Sequence, residues 1–344
     1  LQKFLGGSPM KRNIYGFALL FMLLSFVLCG CSSKEDEQSV KVLRLAETYK
    51  SDYVTVAADF EFARLVEEKS GGLIKIEVHT DGELGKKEDI PGKISDGEID
   101  IARVGLGELG KGSDVLEKGE LPFIFKNKGH MWRSLEQILG PKLDLELSLK
   151  NTKIIGYMDT GARSVYTTVP VEKPEDFENL RIRTNTFSNY SADYFVSFGV
   201  INVKLDSEDD VTKAFEEKTI DGAEDSIINY YDSGHYKYAP NLLKIEYRYL
   251  PDMLVINNSV FSKLSPKEQD IITSAATEAC ASQRENFEKK EKETEEKLIS
   301  EGCKITIPSD TFKDVLLSVA EFTFKQLPRP DVEVTLLEQV RDMR

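Results

Sequence analysis

The chain has 344 residues, and its formal charge at pH 7 is −14. An acidic chain is not expected to bind nucleic acid, which requires clustered lysine and arginine side chains. The length is enough for two lobes that each bury a hydrophobic core. The three histidines, at 79, 130 and 235, lack the spacing of metal ligands, so we expect no metal and no other cofactor.

The first thirty residues have the features of an export signal. A basic pair, Lys11-Arg12, precedes an apolar run over 14–28, which has the length of a secretory h-region and is short for a membrane span. The run ends at the sequence LCGCSS, which resembles the processing box of a bacterial lipoprotein signal with Cys31 as the lipidated residue. An ordinary signal peptide with incidental cysteines is the alternative. We take Met10 as the expected start and residues 1–9 as an upstream extension.

Residues 31–40 are predicted to be a flexible tether, because Ser32–Val40 is polar and charged and has no apolar period. Signal and tether together predict an extracytoplasmic protein anchored by lipid to the cell membrane. From residue 31 onward the formal charge is −17, because residues 1–30 hold three basic groups and no acidic one. In that compartment Cys280 and Cys303 could form one disulfide or remain buried thiols.

Alternating strand and helix patterns predict an α/β fold. Strands are expected over 42–46, 73–79 and 99–104. One helix is expected over 55–69, and a second lies between the last two strands and ends at 97. This order implies a largely parallel sheet. The alternation repeats, with strands over 154–157, 164–168, 180–183 and 200–205 and helices over 190–198 and 211–217. A capping box, Ser265-Pro-Lys-Glu268, then begins a long helix that is predicted to end at Ser300.

Two arginines twenty residues apart are candidate ligands for an anion. They occur in the sequences GARSVY, which contains Arg163, and RIR, which ends with Arg183. The planar guanidinium of arginine can give two parallel hydrogen bonds to one carboxylate. In the RIR strand, Arg181 and Arg183 share one face, so alternation alone does not choose between them. A surface salt bridge is the alternative role for Arg163 and Arg183.

Ten short motifs follow one another along most of the chain, and their order is more specific than any one of them. They are LAE at 45–47, FARLVEEKSGG at 62–72, GELG at 82–85, GEID at 97–100, LPFIF at 121–125, GARSVY at 161–166, PEDF at 174–177, LRIR at 180–183, DGAE at 221–224 and LSPKEQ at 264–269. In this order they resemble the solute receptors of TRAP transporters, of the DctP type.

The resemblance implies a two-lobed fold of the periplasmic-binding-protein kind, with a hinge, the ligand between the lobes and a long C-terminal helix crossing both. Lobe I is expected to hold residues 41–160 with about 250–290, and lobe II residues 161–249 with about 291–344. The resemblance also implies a monomer that is not an enzyme, a small organic acid as ligand, and membrane permease subunits that receive it.

Carried over to this sequence, the resemblance assigns the ligand carboxylate to Arg183 and a second basic contact to Arg163. Asp225 stands where the family commonly has Asn. An ionised carboxylate cannot donate a hydrogen bond to the ligand carboxylate, so Asp225 would accept from a ligand hydroxyl or balance an arginine. Further candidates, for which packing or a surface position is the alternative, are Glu47, Tyr53, Tyr166, Asn185, Glu224 and Tyr230.

The expected ligand is a sugar acid such as a uronate, or a C4-dicarboxylate, and the acceptors Glu47 and Asp225 favour the hydroxylated class. A sensor receptor for the same ligands and, less favoured, a carbohydrate-active enzyme are the alternatives. The sequence GLGELG at 105–110 fits a dinucleotide pattern. However, Gly112, Gly119 and Pro122 leave no helix after it, so no nucleotide is expected.

Overall fold

Two β-sheets with helices packed on them form the fold. The computed structural model describes residues 39–109, 118–184, 189–205, 207–327 and 332–343. In these residues the strands are β1 Lys41–Ala46, β2 Ile74–His79, β3 Ile101–Gly105, β4 Thr152–Met158, β5 Ala162–Thr167, β6 Arg181–Arg183, β7 Ile201–Val203, β8 Gly222–Asp225, β9 Asn241–Tyr249, β10 Asp252–Asn257 and β11 Lys304–Thr306. The helices are α1 Val56–Ser70, α2 Ile90–Asp96, α3 Leu106–Leu109, α4 Lys128–Ser134, α5 Gly140–Ser148, α6 Asn189–Val196, α7 Glu208–Glu216, α8 Ile227–Asp232, α9 Asn258–Lys263, α10 Pro266–Ser300, α11 Asp310–Lys325 and α12 Val332–Asp342. A π-helical turn, Leu135–Leu139, joins α4 to α5.

The helix ends follow from local sequence signals. Helix α1 ends at Ser70 and is capped by Gly71, whose φ of 64° lies in the left-handed region that glycine adopts without strain. The predicted capping box is present at α10, where the Ser265 hydroxyl accepts from the Glu268 N–H and the Glu268 carboxylate accepts from the Ser265 N–H. Helix α10 then runs to Ser300, as predicted. None of the helices described above is both long and apolar enough to cross a membrane.

The first sheet has the strand order β2-β1-β3-β10-β4. Strand β1 is parallel to β2 and β3, as the strand–helix alternation predicts. Strand β10 lies antiparallel between β3 and β4, so β4 runs in the same direction as β1, β2 and β3. The sheet is therefore largely parallel, as predicted, with β10 as its one reversed strand. All six residues of β10 are buried. Because β10 comes from a distant part of the chain, the local alternation of strands and helices does not predict its position between β3 and β4.

The second sheet is also mixed, with the order β11-β9-β5-β8-β6-β7. Strands β8, β6 and β7 are parallel neighbours, whereas β5 is antiparallel to β8. The register places Arg183 on one side of Ala223 and Tyr166 on the other. The carboxyl ends of β6 and β8 therefore meet the beginning of β5 at one edge, where three predicted site segments come together.

The chain passes between the two sheets at two short connections, residues 159–161 after β4 and residues 250–251 after β9. The Thr160 hydroxyl donates to the carbonyl of residue 250, which ties the two connections together. From α10, the Gln283 side chain accepts from the Asp159 N–H and donates to the Asp159 carbonyl, both at 2.8 Å. These two connections form the hinge, which is thus hydrogen-bonded to the long helix α10.

Helix α10 packs against both sheets. Three alanines, at 275, 276 and 279, contribute to a core of the first sheet, and Leu298 contributes to a core of the second. The prediction of a long helix that crosses both lobes is confirmed. The two cysteines, Cys280 on α10 and Cys303 after it, are separate buried thiols.

Helix α12 packs in an unexpected place. Its residues Val334, Leu337 and Val340 share a core with Leu135 and Leu139 of the π-helical turn. The sequence predicts that α12 belongs to lobe II and the π-helical turn to lobe I, so this contact crosses the predicted boundary between the lobes. The other boundaries of the two lobes remain a prediction.

Substitution of Gly156 by alanine is expected to destabilise the protein by about 1–3 kcal/mol, the usual cost of overpacking a core. Gly156 lies in β4 below α10, and an added Cβ would meet the Cys280 sulfur at 2.5 Å. Urea unfolding measures the loss. Gly92→Ala is the matched control, because its Cβ would meet nothing within 4 Å. The double variant Gly156→Ala/Cys280→Ala should recover stability; no recovery would contradict the clash.

Candidate functional site

Arg163 and Asp225 form an ion pair at the edge where the three strands meet. Asp225 ends β8, and the register places Ser164 of β5 opposite it. The Arg163 and Asp225 side chains are largely buried, with exposed fractions of 13% and 5%. The same Asp225 oxygen accepts from the Ser226 N–H at 2.6 Å and from Asn229 Nδ2 at 3.0 Å. Asp225 therefore balances an arginine, which is one of the two roles that the sequence allows.

Arg183 carries positive charge that is not neutralised in this way. It is half-buried at the end of β6, and its Nε donates to the Leu205 carbonyl at 3.2 Å. Within the part of the chain that the structure describes, Arg183 forms no ion pair. Arg181 is different, because Asp221 accepts from its Nε and Nη2 at 2.8 and 2.7 Å. Tertiary contacts thus distinguish two arginines that strand alternation left equivalent.

Two of the predicted tyrosines support the site from the core. Tyr166 is fully buried, its hydroxyl lies 2.8 Å from His235 Nδ1, and its ring stacks on Tyr230 with centroids 4.4 Å apart. Burial and the charge of Glu208 raise the pKa of Tyr166 well above its usual value, and the charges of both site arginines oppose the rise. The Tyr230 hydroxyl donates to a main-chain carbonyl at 2.7 Å. Both hydroxyls therefore have protein partners.

The first sheet contributes an aromatic wall. Tyr53 follows β1, and its hydroxyl bonds to Asn229 Oδ1, on the same amide that donates to Asp225. Its ring stacks on Tyr49 with centroids 4.7 Å apart. Burial raises the pKa of Tyr53 above its usual value. A chain of hydrogen bonds thus links a residue beside the first sheet to the Arg163–Asp225 ion pair of the second.

Glu47, predicted as an acceptor for the ligand, is engaged by a buried arginine. Arg103 lies in the middle of β3, and its guanidinium contacts the carboxylates of Glu47, Asp59 and Asp252. Burial by itself would lower the pKa of Arg103, but the three carboxylates raise it well above its usual value. The guanidinium also lies 5.0 Å from the centroid of the Tyr49 ring. Glu47 therefore supports the aromatic wall through Arg103.

Glu224 has the same kind of partner. Arg248 in β9 is buried between Glu224 and Glu120, at 3.2 and 3.3 Å. Sequence reasoning missed both Arg103 and Arg248. Arg103 is the one charged residue of the apolar strand β3. Such a residue is seldom buried without a partner, and this is the signal that could have found it. Strand β9 also contains Lys244 and Glu246, so Arg248 gives no such signal. Asn229, which links Tyr53 to Asp225, was also missed and has no comparable signal.

The arrangement suits a hydroxylated acid. The N–H groups of Arg183 can meet a carboxylate in a planar, two-bond geometry. Carboxylate and amide groups around Asp225 can meet hydroxyls, and the stacked tyrosines add rigid aromatic surface. The predicted ligand residue Asn185 and the predicted lipidation residue Cys31 lie outside the described residues.

Two sheets joined by a hinge, with a charged site where they approach, define the class of two-lobed ligand-binding proteins. The model of the bacterial extracellular solute-binding proteins, family 7, matches residues 45–324, and the chain belongs to that family. A solute-binding protein of Chromohalobacter salexigens is 30% identical over 302 residues, which are 88% of each chain. The 2,3-diketo-L-gulonate-binding periplasmic protein YiaO of Escherichia coli is 29% identical over 239 residues, covering 69% of this chain and 72% of YiaO.

A solved structure of a similar protein has the same fold. A TRAP periplasmic solute-binding protein from Chromohalobacter salexigens, with bound D-glucuronate, superposes with a TM-score of 0.80 at 27% identity, covering 87% of this chain and 99% of that one. The resemblance to TRAP solute receptors and the two-lobed α/β fold are therefore confirmed.

Proposed function

We propose that this protein captures a sugar acid, such as a uronate, outside the cytoplasm and delivers it to the membrane permease of a TRAP transporter. The observation that supports this most directly is Arg183, which forms no ion pair within the described residues. It ends β6, the strand next to β8, and β8 ends with Asp225 of the Arg163–Asp225 pair. One guanidinium binds one carboxylate by two parallel hydrogen bonds. The D-glucuronate-bound structure and the diketogulonate-binding relative support an acid of this class.

The N-terminal region would hold the receptor at the membrane. Cys31 would carry the lipid anchor and residues 31–40 the tether, so that a monomeric two-lobed receptor faces its ligand on the outer side of the membrane. Arg183 and Arg163 bind the acid without changing it. Recovery of the bound acid chemically intact after long incubation would support a receptor, whereas a product would indicate an enzyme.

Thermal unfolding of the full chain in detergent, with a ligand panel, tests the proposal. The panel contains D-glucuronate, D-galacturonate, L-gulonate, C4-dicarboxylates and D-glucose. At 100 to 1,000 times its dissociation constant, a true ligand stabilises the folded state by about 2.7–4.1 kcal/mol, which corresponds to several degrees. Stabilisation by sugar acids and not by D-glucose is the expected result. Stabilisation by D-glucose alone, or by none of the panel, would contradict the proposal.

A further inference from the structure

The protein balances the charge of one arginine of the site with a carboxylate and does not do so for the other. Asp225 is 4% exposed, and one of its oxygens meets the Arg163 guanidinium, the Ser226 N–H and Asn229 Nδ2. Three donors on one oxygen hold the carboxylate in place as an acceptor. Arg163 is thereby already neutralised by the protein. Arg183 has only a main-chain carbonyl as partner within the described part of the chain.

We propose that Asp225 is a specificity-determining residue, which makes the site accept acids with a single carboxylate and reject dicarboxylates. The inference rests on the proposed function and deepens it. It assigns the ligand carboxylate to Arg183 and a ligand hydroxyl to the neighbourhood of Asp225.

Repulsion between like charges is the physical reason. A second ligand carboxylate that approached Arg163 would lie beside Asp225, and like charges placed together across a binding interface are strongly unfavourable. A hydroxyl at the same position can instead donate to an Asp225 oxygen. Specificity of this kind comes from a repulsive element as much as from an attractive one. An asparagine of the same shape would remove the repulsion.

The experiment compares ligands that share one carbon skeleton. L-gulonate and D-glucarate have the same hydroxyl configuration and differ at one terminal carbon, which is a hydroxymethyl group in the first and a carboxylate in the second. D-glucuronate is the third probe, and the galacto counterparts are used if the panel favours D-galacturonate. Calorimetric titration of the full chain measures the dissociation constant of each acid. The quantity compared is the dissociation constant of the dicarboxylate divided by that of the monocarboxylate that binds most tightly. We expect a ratio of about 10 to 100, equivalent to roughly 1.4–2.8 kcal/mol of repulsion.

In Asp225→Asn the ratio is expected to fall at least about tenfold, equivalent to roughly 1.4 kcal/mol. Asp221→Asn is the matched control: it removes the same charge four residues earlier, from the pair with Arg181, and should leave the ratio unchanged. A parent that binds D-glucarate as tightly as the monocarboxylates would overturn the inference, even if Asp225→Asn does not fold. An unchanged ratio in a folded Asp225→Asn would do the same. No binding of any monocarboxylate would count against the proposed function itself.

Discussion

Replacement of Arg183 by alanine is expected to weaken sugar-acid binding by about 30-fold to several-thousand-fold. Truncating one partner of a buried charge pair costs roughly 2–5 kcal/mol, and about 1.4 kcal/mol corresponds to a factor of ten in affinity. Calorimetric titration with the acid that stabilises the parent most in the panel measures the loss. Arg183→Lys should give an intermediate loss, because it keeps the charge without the planar pair of donors.

The control for this experiment lies two residues away. Arg181 is on the same face of the same strand, but it is held by Asp221 and its side chain is 38% exposed. Arg181→Ala should therefore bind the acid like the parent. Melting curves of both variants show whether each is folded. Parent-like affinity in a folded Arg183→Ala would remove Arg183 from the site, and equal losses in both variants would indicate damage to the strand.

Replacement of Arg103 by methionine is expected to lower the free energy of unfolding by about 3–5 kcal/mol, because removing one partner of a buried ion pair leaves uncompensated charge in the core. Three carboxylates contact Arg103, and its side chain is 1% exposed. The loss should be largest at neutral pH. It should shrink as the pH falls, because burial already raises the pKa of Asp59 and protonated carboxyls are tolerated in the core. Urea unfolding at several pH values measures it.

Arg44→Met is the matched control for Arg103→Met. Arg44 belongs to the neighbouring strand β1, its side chain is 46% exposed, and its Nε lies 4.0 Å from Asp100. Exposed pairs of this kind contribute about 0–1 kcal/mol. Adding Asp252→Asn to Arg103→Met should recover part of the lost stability, because it removes one of the buried charges. A loss below about 1 kcal/mol for Arg103→Met, or a loss that does not depend on pH, would contradict a buried ion cluster.

The arginines show how far reasoning from the sequence can reach. Local pattern and family resemblance were enough to select Arg163 and Arg183 as candidates. The partners of the other arginines lie far along the chain: Asp221 is 40 residues from Arg181, and Asp252 is 149 residues from Arg103. No local pattern indicates such a pairing. The position of Glu47 after the first strand and of Glu224 in the DGAE motif predicts a role at the site, but neither position indicates the arginines that engage them.

By itself, the sequence determined the features that depend on neighbouring residues. The capping box and the bounds of α10, the parallel β1–β2–β3 unit and the ordered motifs of the family were all readable in this way. Only the tertiary structure decided the insertion of β10, the packing of α12, and which site arginine is paired with a carboxylate. The physical reason is range. Periodicity and capping act within a few residues, whereas strand order and ion pairing depend on groups that folding brings together from distant parts of the chain.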